Sequence, residues 1–260
     1  MTKGFKANIS KTMCLTLCSL VTSATLANAG ENGVFLGIGG SFGLEAIAKA
    51  DLKTDTNPQS VINNATKGFS GGSELVLGYK YFFIEKLGIR GYASVDYSIV
   101  MLAKTSGTAG IGQAYSQMIG KPSGLLDVNI NLDLILEAFS GDVFSLGFFA
   151  GVAGGFHLWH GGIVDVVKGI NTAMASGTPG TIYNKKTPSI FGSVGVNVGM
   201  QMGFGERHTV EVLGKIPFLQ DEVISYKFSE TAYQPSSNDA KKFIRVTRPY
   251  TVGLRYIFTF

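Results

Sequence analysis

Three histidines are the side chains best suited to chemistry, and two of them lie close together. His157 and His160 flank Trp159, whereas His208 lies far along the chain. A histidine beside a serine and an acid would suit acyl transfer, but no motif here fixes a nucleophile next to a base. A metal bound by His157 and His160 would lack a third ligand that the sequence can place. We therefore predict no catalytic, cofactor-binding or metal site, and we interpret His208 as solvated and Trp159 as a residue at a membrane interface.

Charged side chains recur within apolar stretches at alternate positions, which places them on one face of a strand. The acids are Glu74, Asp96, Asp127, Asp133 and Glu211, and the bases are Lys80, Arg90, Lys215, Arg245 and Arg255. Unpaired charges in a narrow interior are costly, so the equal numbers predict an internal ion-pair network. Within it we expect Arg255 to face Asp133 or Glu211.

The elements that must carry these charges are strands. The stretch 124–139 shows this best, because Leu126, Val128 and Ile130 interleave with Asp127 and Asn129, and the alternation continues to Leu136. A helix would spread these polar residues around its whole circumference. Similar alternation predicts eight strands at 32–42, 69–82, 88–102, 124–139, 143–158, 189–204, 208–218 and 250–260. The Gly-rich run in the first of them lacks the helix that a nucleotide-binding loop needs.

The connections between these strands alternate between long and short along the whole chain. Transmembrane barrels have long extracellular loops and short periplasmic turns. We therefore predict an all-β fold, an eight-stranded antiparallel transmembrane up-and-down β-barrel with four long extracellular loops and three short periplasmic turns. Both termini would then be periplasmic. An eight-stranded barrel is just wide enough for side chains to fill, so we expect a plugged interior, with an ion path through the charges as the alternative.

Residues 1–29 have the features of a secretory signal peptide. Lys3, Lys6 and Lys11 precede an uncharged stretch, which ends in Ala27-Asn28-Ala29, an A-x-A cleavage site. We expect cleavage there and a single barrel domain at 30–260. Both cysteines, Cys14 and Cys18, lie in the signal, and its loss brings the formal charge of +4 close to neutrality. Neither a disulfide framework nor a nucleic-acid partner is therefore indicated.

The last stretch, 250–260, has one continuously apolar face. Tyr250, Tyr256, Phe258 and Phe260 lie on it, and the chain ends at the last of these. In outer-membrane barrels such an aromatic final strand is the usual assembly signal, and we expect these four residues to serve as one. Nearby, Lys241, Lys242, Arg245 and Arg248 form a basic cluster that suits lipopolysaccharide phosphates, with an ordinary solvated rim as the alternative.

Both ends of the predicted mature chain resemble the Helicobacter outer membrane protein family, the Hop and Hor type proteins, in a short form. The opening GENGVFLGIGGSFG is similar to that family's first strand. The segments His208–Leu219 and Arg245–Phe260 are similar to its closing hairpin. The resemblance implies an outer-membrane location, surface exposure, and a role in adhesion or, for some members, pore formation. Longer members carry a large adhesive domain and cysteine pairs that this chain lacks, so no receptor-binding residue is carried over.

We therefore expect a non-enzymatic barrel in the outer membrane of a Gram-negative bacterium. Its loops would act as an adhesin-like element or surface antigen, or the barrel would support the envelope. A small porin is the alternative, and an outer-leaflet lipid-modifying enzyme is the third possibility. The expected partners are outer-membrane lipid and lipopolysaccharide, the barrel assembly machinery and a host-surface ligand on the loops. We expect a monomer without cofactors.

Overall fold

The computed structural model describes residues 32–43, 47–51, 68–102, 122–141, 143–162, 164–165, 181–186, 190–219, 221–229, 241–247 and 250–260. Twelve strands account for nearly all of them. They are β1 (Gly33–Gly43), β2 (Ile47–Asp51), β3 (Gly68–Ile84), β4 (Leu87–Leu102), β5 (Ser123–Ser140), β6 (Phe144–Gly161), β7 (Thr181–Lys186), β8 (Ile190–Phe204), β9 (His208–Pro217), β10 (Asp221–Ser229), β11 (Lys241–Thr247) and β12 (Thr251–Thr259). The signal-cleavage residues Ala27 and Ala29 lie outside the described residues.

Eight strands form a closed antiparallel barrel in the order β1-β12-β9-β8-β6-β5-β4-β3. Closure occurs at β1, which pairs with β12 on one side and with β3 on the other. The predicted eight-stranded barrel is thus confirmed, and the observed strand bounds lie within one to three residues of the predicted ones. Every barrel strand has a partner on each side, so the closed sheet has no unpaired edge.

The two ends of the barrel differ in their connections. At the turn end, residues 85–86, 141–143 and 205–207 join β3 to β4, β5 to β6 and β8 to β9. Gly205 has a φ of +62°, a left-handed conformation that glycine adopts without a Cβ penalty. The start of β1 and the end of β12 lie at this same end, because Phe35 pairs with Thr259. The longer connections all leave the opposite end, which we call the loop end.

Alternation along each strand divides the side chains between two surfaces. On β5, for example, Asp127, Asn131 and Asp133 are buried inside the barrel, whereas Ile130 and Leu132 are exposed on its outer wall. Each barrel strand repeats this period of two. The core is therefore the barrel interior, and it is mostly polar. Two groups of buried apolar side chains also line it, Phe35, Val76, Tyr92 and Ile257 in one and Phe82, Ile135, Phe149 and Leu213 in the other.

A second sheet, which the sequence patterns did not predict, has the strand order β2-β11-β10-β7. Each of its strands adjoins a barrel strand in the chain at the loop end, in the matching order β1, β12, β9 and β8. Thr247 pairs with Ile47 in the same register in which Thr259 pairs with Phe35. The sheet therefore continues one side of the barrel wall beyond the loop end, and we call it the wall extension.

Candidate functional site: the charged interior and the outer surface

The middle of the barrel holds two arginines that share one glutamate. Arg90 on β4 donates from Nη1 to Glu211 on β9, and Arg255 on β12 donates from Nη1 to the other oxygen of Glu211 over 3.1 Å. Arg90 also donates from Nε to Asp133 Oδ2 over 2.9 Å. Glu211 and Asp133 have no exposed surface. Buried charges of this kind are stable only when they are paired, so the contacts hold β4, β5, β9 and β12 in fixed relation.

Glu74 on β3 extends the same network. It accepts from Arg255 Nη2 and Nε over 2.9 and 3.2 Å, and from Lys215 Nζ over 2.5 Å. Arg255 therefore binds Glu211, one of the two partners predicted for it, and Glu74 in place of Asp133. We call this connected set of three bases and three acids the central cluster. Its members are Glu74, Arg90, Asp133, Glu211, Lys215 and Arg255.

Aromatic rings pack against both guanidinium groups of the central cluster. Arg90 Cζ lies 4.2 Å from the centre of the Phe149 ring and 5.2 Å from that of Tyr92. Arg255 Cζ lies 5.1 Å from the Tyr92 ring. These distances are within the range of cation–π attraction. The rings also limit the rotamers of the two arginines, so the cluster is held by packing as well as by charge.

Amide side chains carry the network toward the loop end. Asn197 on β8 donates from Nδ2 to Asn131 Oδ1 on β5 over 2.9 Å, and Asn131 donates to Ser94 Oγ over 3.0 Å. Asn197 also reaches the Tyr92 hydroxyl over 3.3 Å. Both asparagines are buried. Hydrogen bonds therefore connect β8 with β5 and β4 through the barrel interior on the loop side of the arginines.

Beyond these amides lies a polar cavity of about 50 Å³, which we call the loop-end chamber. Asp96, Asp127 and Asn129 line it together with serines and Lys215. Asp96 accepts from Ser41 over 3.0 Å and from Ser98 over 2.5 Å. A polar cavity of this volume has room for a few water molecules. The chamber is thus a part of the interior that protein atoms leave open.

His157 and Trp159 lie on the inward face of β6 near the loop end and share one carboxylate. His157 Nε2 lies 2.6 Å from Asp221 Oδ2, and Trp159 Nε1 donates to the same oxygen over 2.7 Å. On its other side, His157 Nδ1 lies 3.4 Å from Asp127 Oδ1. Trp159 is buried inside the barrel, so its predicted place at the membrane interface is wrong. The alternation of β6 explains this, because Trp159 shares the inward face with His157.

The other two histidines face outward. His160 lies 2.9 Å from the Tyr97 hydroxyl and stacks on that ring. His208 Nδ1 lies 2.6 Å from the Tyr256 hydroxyl and packs against Phe258. His208 is therefore part of an aromatic contact at the turn end instead of a merely solvated residue. His157 and His160 lie on opposite faces of β6 and cannot bind one metal together.

The remaining predicted charges are distributed over three places. Lys80 lies on the interior face of β3 near the turn end. Glu137 lies on the interior face of β5 at the same end, and it is an acid that was not among the predicted interior charges. Arg245 lies on β11, where its backbone pairs with Lys49 and Glu222 in the wall extension. Its predicted place in the barrel interior is therefore wrong, because the barrel strand begins only at Thr251. In the basic cluster, Lys241 and Lys242 lie on β11, and Arg248 lies outside the described residues.

The outer wall of the barrel is apolar over its whole height. Its exposed side chains include Leu36, Ile38, Leu75, Leu77, Val95, Ile130, Leu132, Leu134, Val152, Val198, Met200, Val212 and Leu254. Aromatic residues cluster near the turn end, where Phe258 and Phe260 meet edge to face with ring centres 5.2 Å apart. Tyr250, Tyr256 and Phe260 are 41%, 41% and 44% exposed. An apolar band with aromatic rims is the surface that a bilayer requires.

Two further findings concern the described residues alone. They contain no helix that is long and apolar enough to cross a membrane. They also contain no group of three or more histidine, cysteine, aspartate and glutamate side chains arranged as a metal site.

A closed eight-stranded antiparallel barrel with an apolar wall and a charged interior defines the class of outer-membrane β-barrel proteins. The family model described as Helicobacter outer membrane protein matches residues 74–260. The chain therefore belongs to the Helicobacter outer membrane protein family, as its two ends predicted, and its location is the outer membrane. No curated protein sequence matches the chain.

The chain is also similar to solved structures of other outer-membrane proteins at low sequence identity. The outer membrane protein OprG from Pseudomonas aeruginosa is 14% identical, with a TM-score of 0.45, and the match covers 88% of this chain and 96% of that one. Neisserial surface protein A is 12% identical, with a TM-score of 0.36 over 88% and 97% of the two chains. Ail, the attachment invasion locus protein of Yersinia pestis, is 12% identical, with a TM-score of 0.31 over 88% and 99%.

Proposed function

We propose that the protein is a plugged outer-membrane barrel that acts through the structures it presents at its loop end. One observation carries this proposal. Arg90 on β4 meets Glu211 on β9, and these two strands lie opposite each other in the closed barrel. The contact therefore spans the barrel's diameter. Together with the rest of the central cluster it fills the cross-section that an ion would need to pass.

Conductance in planar lipid bilayers tests the plug. The purified wild-type protein should give no steady channels, whereas steady channels of porin size would overturn the proposal in favour of a small porin. The variant Arg90→Ala/Glu211→Ala shortens two facing side chains and leaves the net charge unchanged, so it should show channel openings. The variant Glu85→Ala/Lys86→Ala removes the same charges in an exposed turn and should behave as wild type.

We place the loop end outside the cell, which leaves both termini in the periplasm. The support is the contrast between short turns at one end and long connections with an added sheet at the other, as outer-membrane barrels have. On this orientation the wall extension and the long connections are the surface that an adhesive ligand, an antibody or lipopolysaccharide would meet. A role as surface antigen, adhesin-like protein or envelope component follows from that exposure.

Site-directed labelling tests the orientation. The only two cysteines are Cys14 and Cys18 in the predicted signal, so one added cysteine gives an unambiguous signal. A membrane-impermeant maleimide should label Ser229→Cys, at the end of β10, on intact cells. It should label Glu206→Cys, in the turn between β8 and β9, only after the cells are broken. The reverse pattern would place the loop end in the periplasm.

We further propose that the protein is not an enzyme. Its histidines are bound to other groups: His157 contacts two aspartates, while His160 and His208 each contact a tyrosine hydroxyl. None of these contacts prepares a serine for attack on a lipid ester. Mass analysis of lipid A from cells with and without the protein tests this. A consistent difference in acylation would overturn the non-enzymatic proposal.

Tyr250, Tyr256, Phe258 and Phe260 are proposed as the contact for the assembly machinery. Tyr256 and Phe258 lie on the outward face of β12, and Tyr250 and Phe260 directly flank its two ends, at the seam where the barrel closes against β1. Removing Phe260, or changing it to Asp, should reduce the amount of folded protein in the outer-membrane fraction. Folded barrel is recognised there by a gel mobility that changes on boiling. Phe218→Asp, an exposed aromatic residue at the loop end, is the control and should assemble more fully than Phe260→Asp.

A further inference from the structure

Ionisable side chains are distributed unequally between the two surfaces of the barrel wall. Every aspartate, glutamate, lysine and arginine of the eight barrel strands lies on the interior face. On the outer wall of these strands, the side chains that can be charged near neutral pH are His160 and His208. His160 is the last residue but one of β6, at the loop end, and His208 is the first residue of β9, at the turn end. The strands therefore carry one outward imidazole at each rim and no outward charge between them.

The imidazole of His160 is fixed against the wall by its neighbours. It reaches from β6 across β5 to β4, where Nε2 lies 2.9 Å from the Tyr97 hydroxyl and the two rings stack with centres 5.5 Å apart. Gly124 on β5 is the pairing partner of His160. A Cβ added at Gly124 would collide with the His160 ring, so the ring needs glycine there to lie flat. Contacts from two neighbouring strands therefore set its position.

The turn end has a second pair of the same kind. His208 Nδ1 lies 2.6 Å from the Tyr256 hydroxyl on the neighbouring strand β12. The His208 ring also meets Phe258 edge to face, with ring centres 5.4 Å apart. His160 and His208 are both exposed on the outer wall. Each rim thus combines one imidazole with the hydroxyl of a tyrosine from another strand, and we call these two arrangements the rim pairs.

The length of the barrel strands places the rim pairs at the level of lipid headgroups. β6 has 18 residues, and a strand of that length rises about 45 Å at about 3.3 Å per residue and a tilt of about 40°. A bilayer is about 40–45 Å thick with its headgroup layers, and its hydrocarbon core is about 30 Å thick. Acyl chains cover the apolar wall between the rims, so the imidazoles lie where the headgroups begin.

The rim pairs can donate hydrogen bonds to an anion outside the protein. Each histidine uses one ring nitrogen for its tyrosine, and the second nitrogen has no partner among the described residues. When the tyrosine hydroxyl donates to the ring, the second nitrogen carries a hydrogen in the neutral ring as well as in the protonated ring. An anion beside that nitrogen favours this arrangement. Lipid phosphate is an anion of this level of the membrane, and its oxygens are strong acceptors.

We propose that each rim pair binds the phosphate group of a membrane lipid through the second nitrogen of its histidine. His160 with Tyr97 binds a lipid of the outer leaflet, and His208 with Tyr256 binds a lipid of the leaflet that faces the periplasm. This assignment of leaflets rests on the orientation proposed above, whereas the phosphate contacts themselves do not. The two contacts fix the height of the barrel in the bilayer, because each holds one rim at the phosphate level.

Dipolar recoupling between ¹⁵N and ³¹P in solid-state NMR tests the proposal. The protein, with ¹⁵N-labelled histidine, is reconstituted in dimyristoylphosphatidylglycerol bilayers in phosphate-free buffer, so that lipid supplies all the phosphorus. The imidazole signals of His160 and His208 should decrease when the ³¹P coupling is reintroduced, since this coupling acts only over a few ångströms. His157 lies inside the barrel, and its signal should stay unchanged. The variants His160→Phe and His208→Phe, which keep an aromatic ring, assign the two signals.

Native mass spectrometry in detergent measures the consequence for lipid binding. The wild type should bind phosphatidylglycerol at least about threefold more tightly than the diacylglycerol with the same chains, which is the effect of about one hydrogen bond. The double variant His160→Phe/His208→Phe should lose this preference. Heat-modifiable gel mobility verifies that each variant is folded, and the NMR result on the wild type needs no variant.

Three results would overturn the proposal. One is a signal of His160 or His208 that ³¹P leaves unchanged in the phosphatidylglycerol bilayer. A second is an unchanged preference for phosphatidylglycerol in the folded double variant. The third is an equal decrease of both signals in phosphorus-free detergent with inorganic phosphate, which would assign the rim pairs to free phosphate. None of these results depends on which end faces outward, so they are distinct from a failure of the orientation in the maleimide experiment.

Discussion

The central cluster and the loop-end chamber lie a few residues apart on the same strands, yet they are built differently. In the central cluster three bases meet three acids, and aromatic rings fill the space beside them. In the loop-end chamber a cavity remains, and Asp96, Asp127 and Lys215 are among the residues that line it. The centre therefore has the construction of a structural plug. The chamber leaves a polar space that side chains do not fill.

The strongest test of this difference is Glu211→Ala. Glu211 binds both Arg90 and Arg255, so its loss leaves two buried cations short of a partner. Removing one member of a buried ion pair costs about 3–5 kcal/mol, and we expect a loss of that size in the free energy of unfolding. Urea unfolding in lipid vesicles, followed by circular dichroism, measures it. Glu206→Ala, in an exposed turn, should change stability by less than about 0.5 kcal/mol. Equal effects at the two positions would contradict the plug.

Asp221→Asn should have a smaller effect, located at the loop end. It weakens the acceptor that His157 and Trp159 share, and hydrogen bonds to a charged group are worth about 1.5–3 kcal/mol. Trp159 is the only tryptophan, so its fluorescence reports on this site alone. We expect acrylamide to quench the variant more strongly at urea concentrations where circular dichroism is still native. Unchanged quenching would mean that Asp221 does not restrict access to Trp159.

A glycine beside the central cluster gives a third test. A Cβ added at Gly151 would collide with the carboxylate of Asp133 and the carbonyl oxygen of Leu132, whereas one at Gly154, on the outer face of the same strand, would lie 4.0 Å from its nearest neighbour. Overpacking typically costs about 1–3 kcal/mol. Gly151→Ala should therefore lower the free energy of unfolding by that amount, and Gly154→Ala should leave it nearly unchanged. If Gly151→Ala and Gly154→Ala were equally stable, the groups around Gly151 would have moved to accommodate the added methyl group without cost.

The sequence was sufficient to predict the barrel because a side-chain period of two is a strong signal of a strand when one of its faces is apolar. The charges of the central cluster were predicted for the same reason, since alternation alone places Glu74 and Arg255 inside. Applied consistently, the same alternation would also have placed Glu137 and Trp159 inside the barrel. Trp159 was misplaced because a general preference of tryptophan for membrane interfaces was set above the local alternation of its strand.

Other features of the structure could not be predicted from the alternation of apolar and polar residues. The strands of the wall extension have no continuous apolar face, as Ile47–Asp51 and Lys241–Thr247 illustrate, so periodicity did not reveal them. Which acid each arginine binds depends on strand tilt and on contacts across the barrel, which spacing within one strand does not contain. Asp221 was missed because its role follows only from its position just past β9, opposite His157.

The smallest expected effect concerns the two histidines of β6. His157 lies inside the barrel and His160 lies on its outer wall, so their variants compare the two surfaces. His160 is exposed and contacts Tyr97 on the outer wall, so His160→Gln should cost no more than about 0.5–1 kcal/mol. His157 is buried between Asp127 and Asp221, and His157→Gln leaves both carboxylates without the imidazole. The cost of His157→Gln in free energy of unfolding should exceed that of His160→Gln when both are measured at the same pH. Equal stability of the two variants would show that the contacts of His157 inside the barrel contribute no more than the contact of His160 on the outer wall.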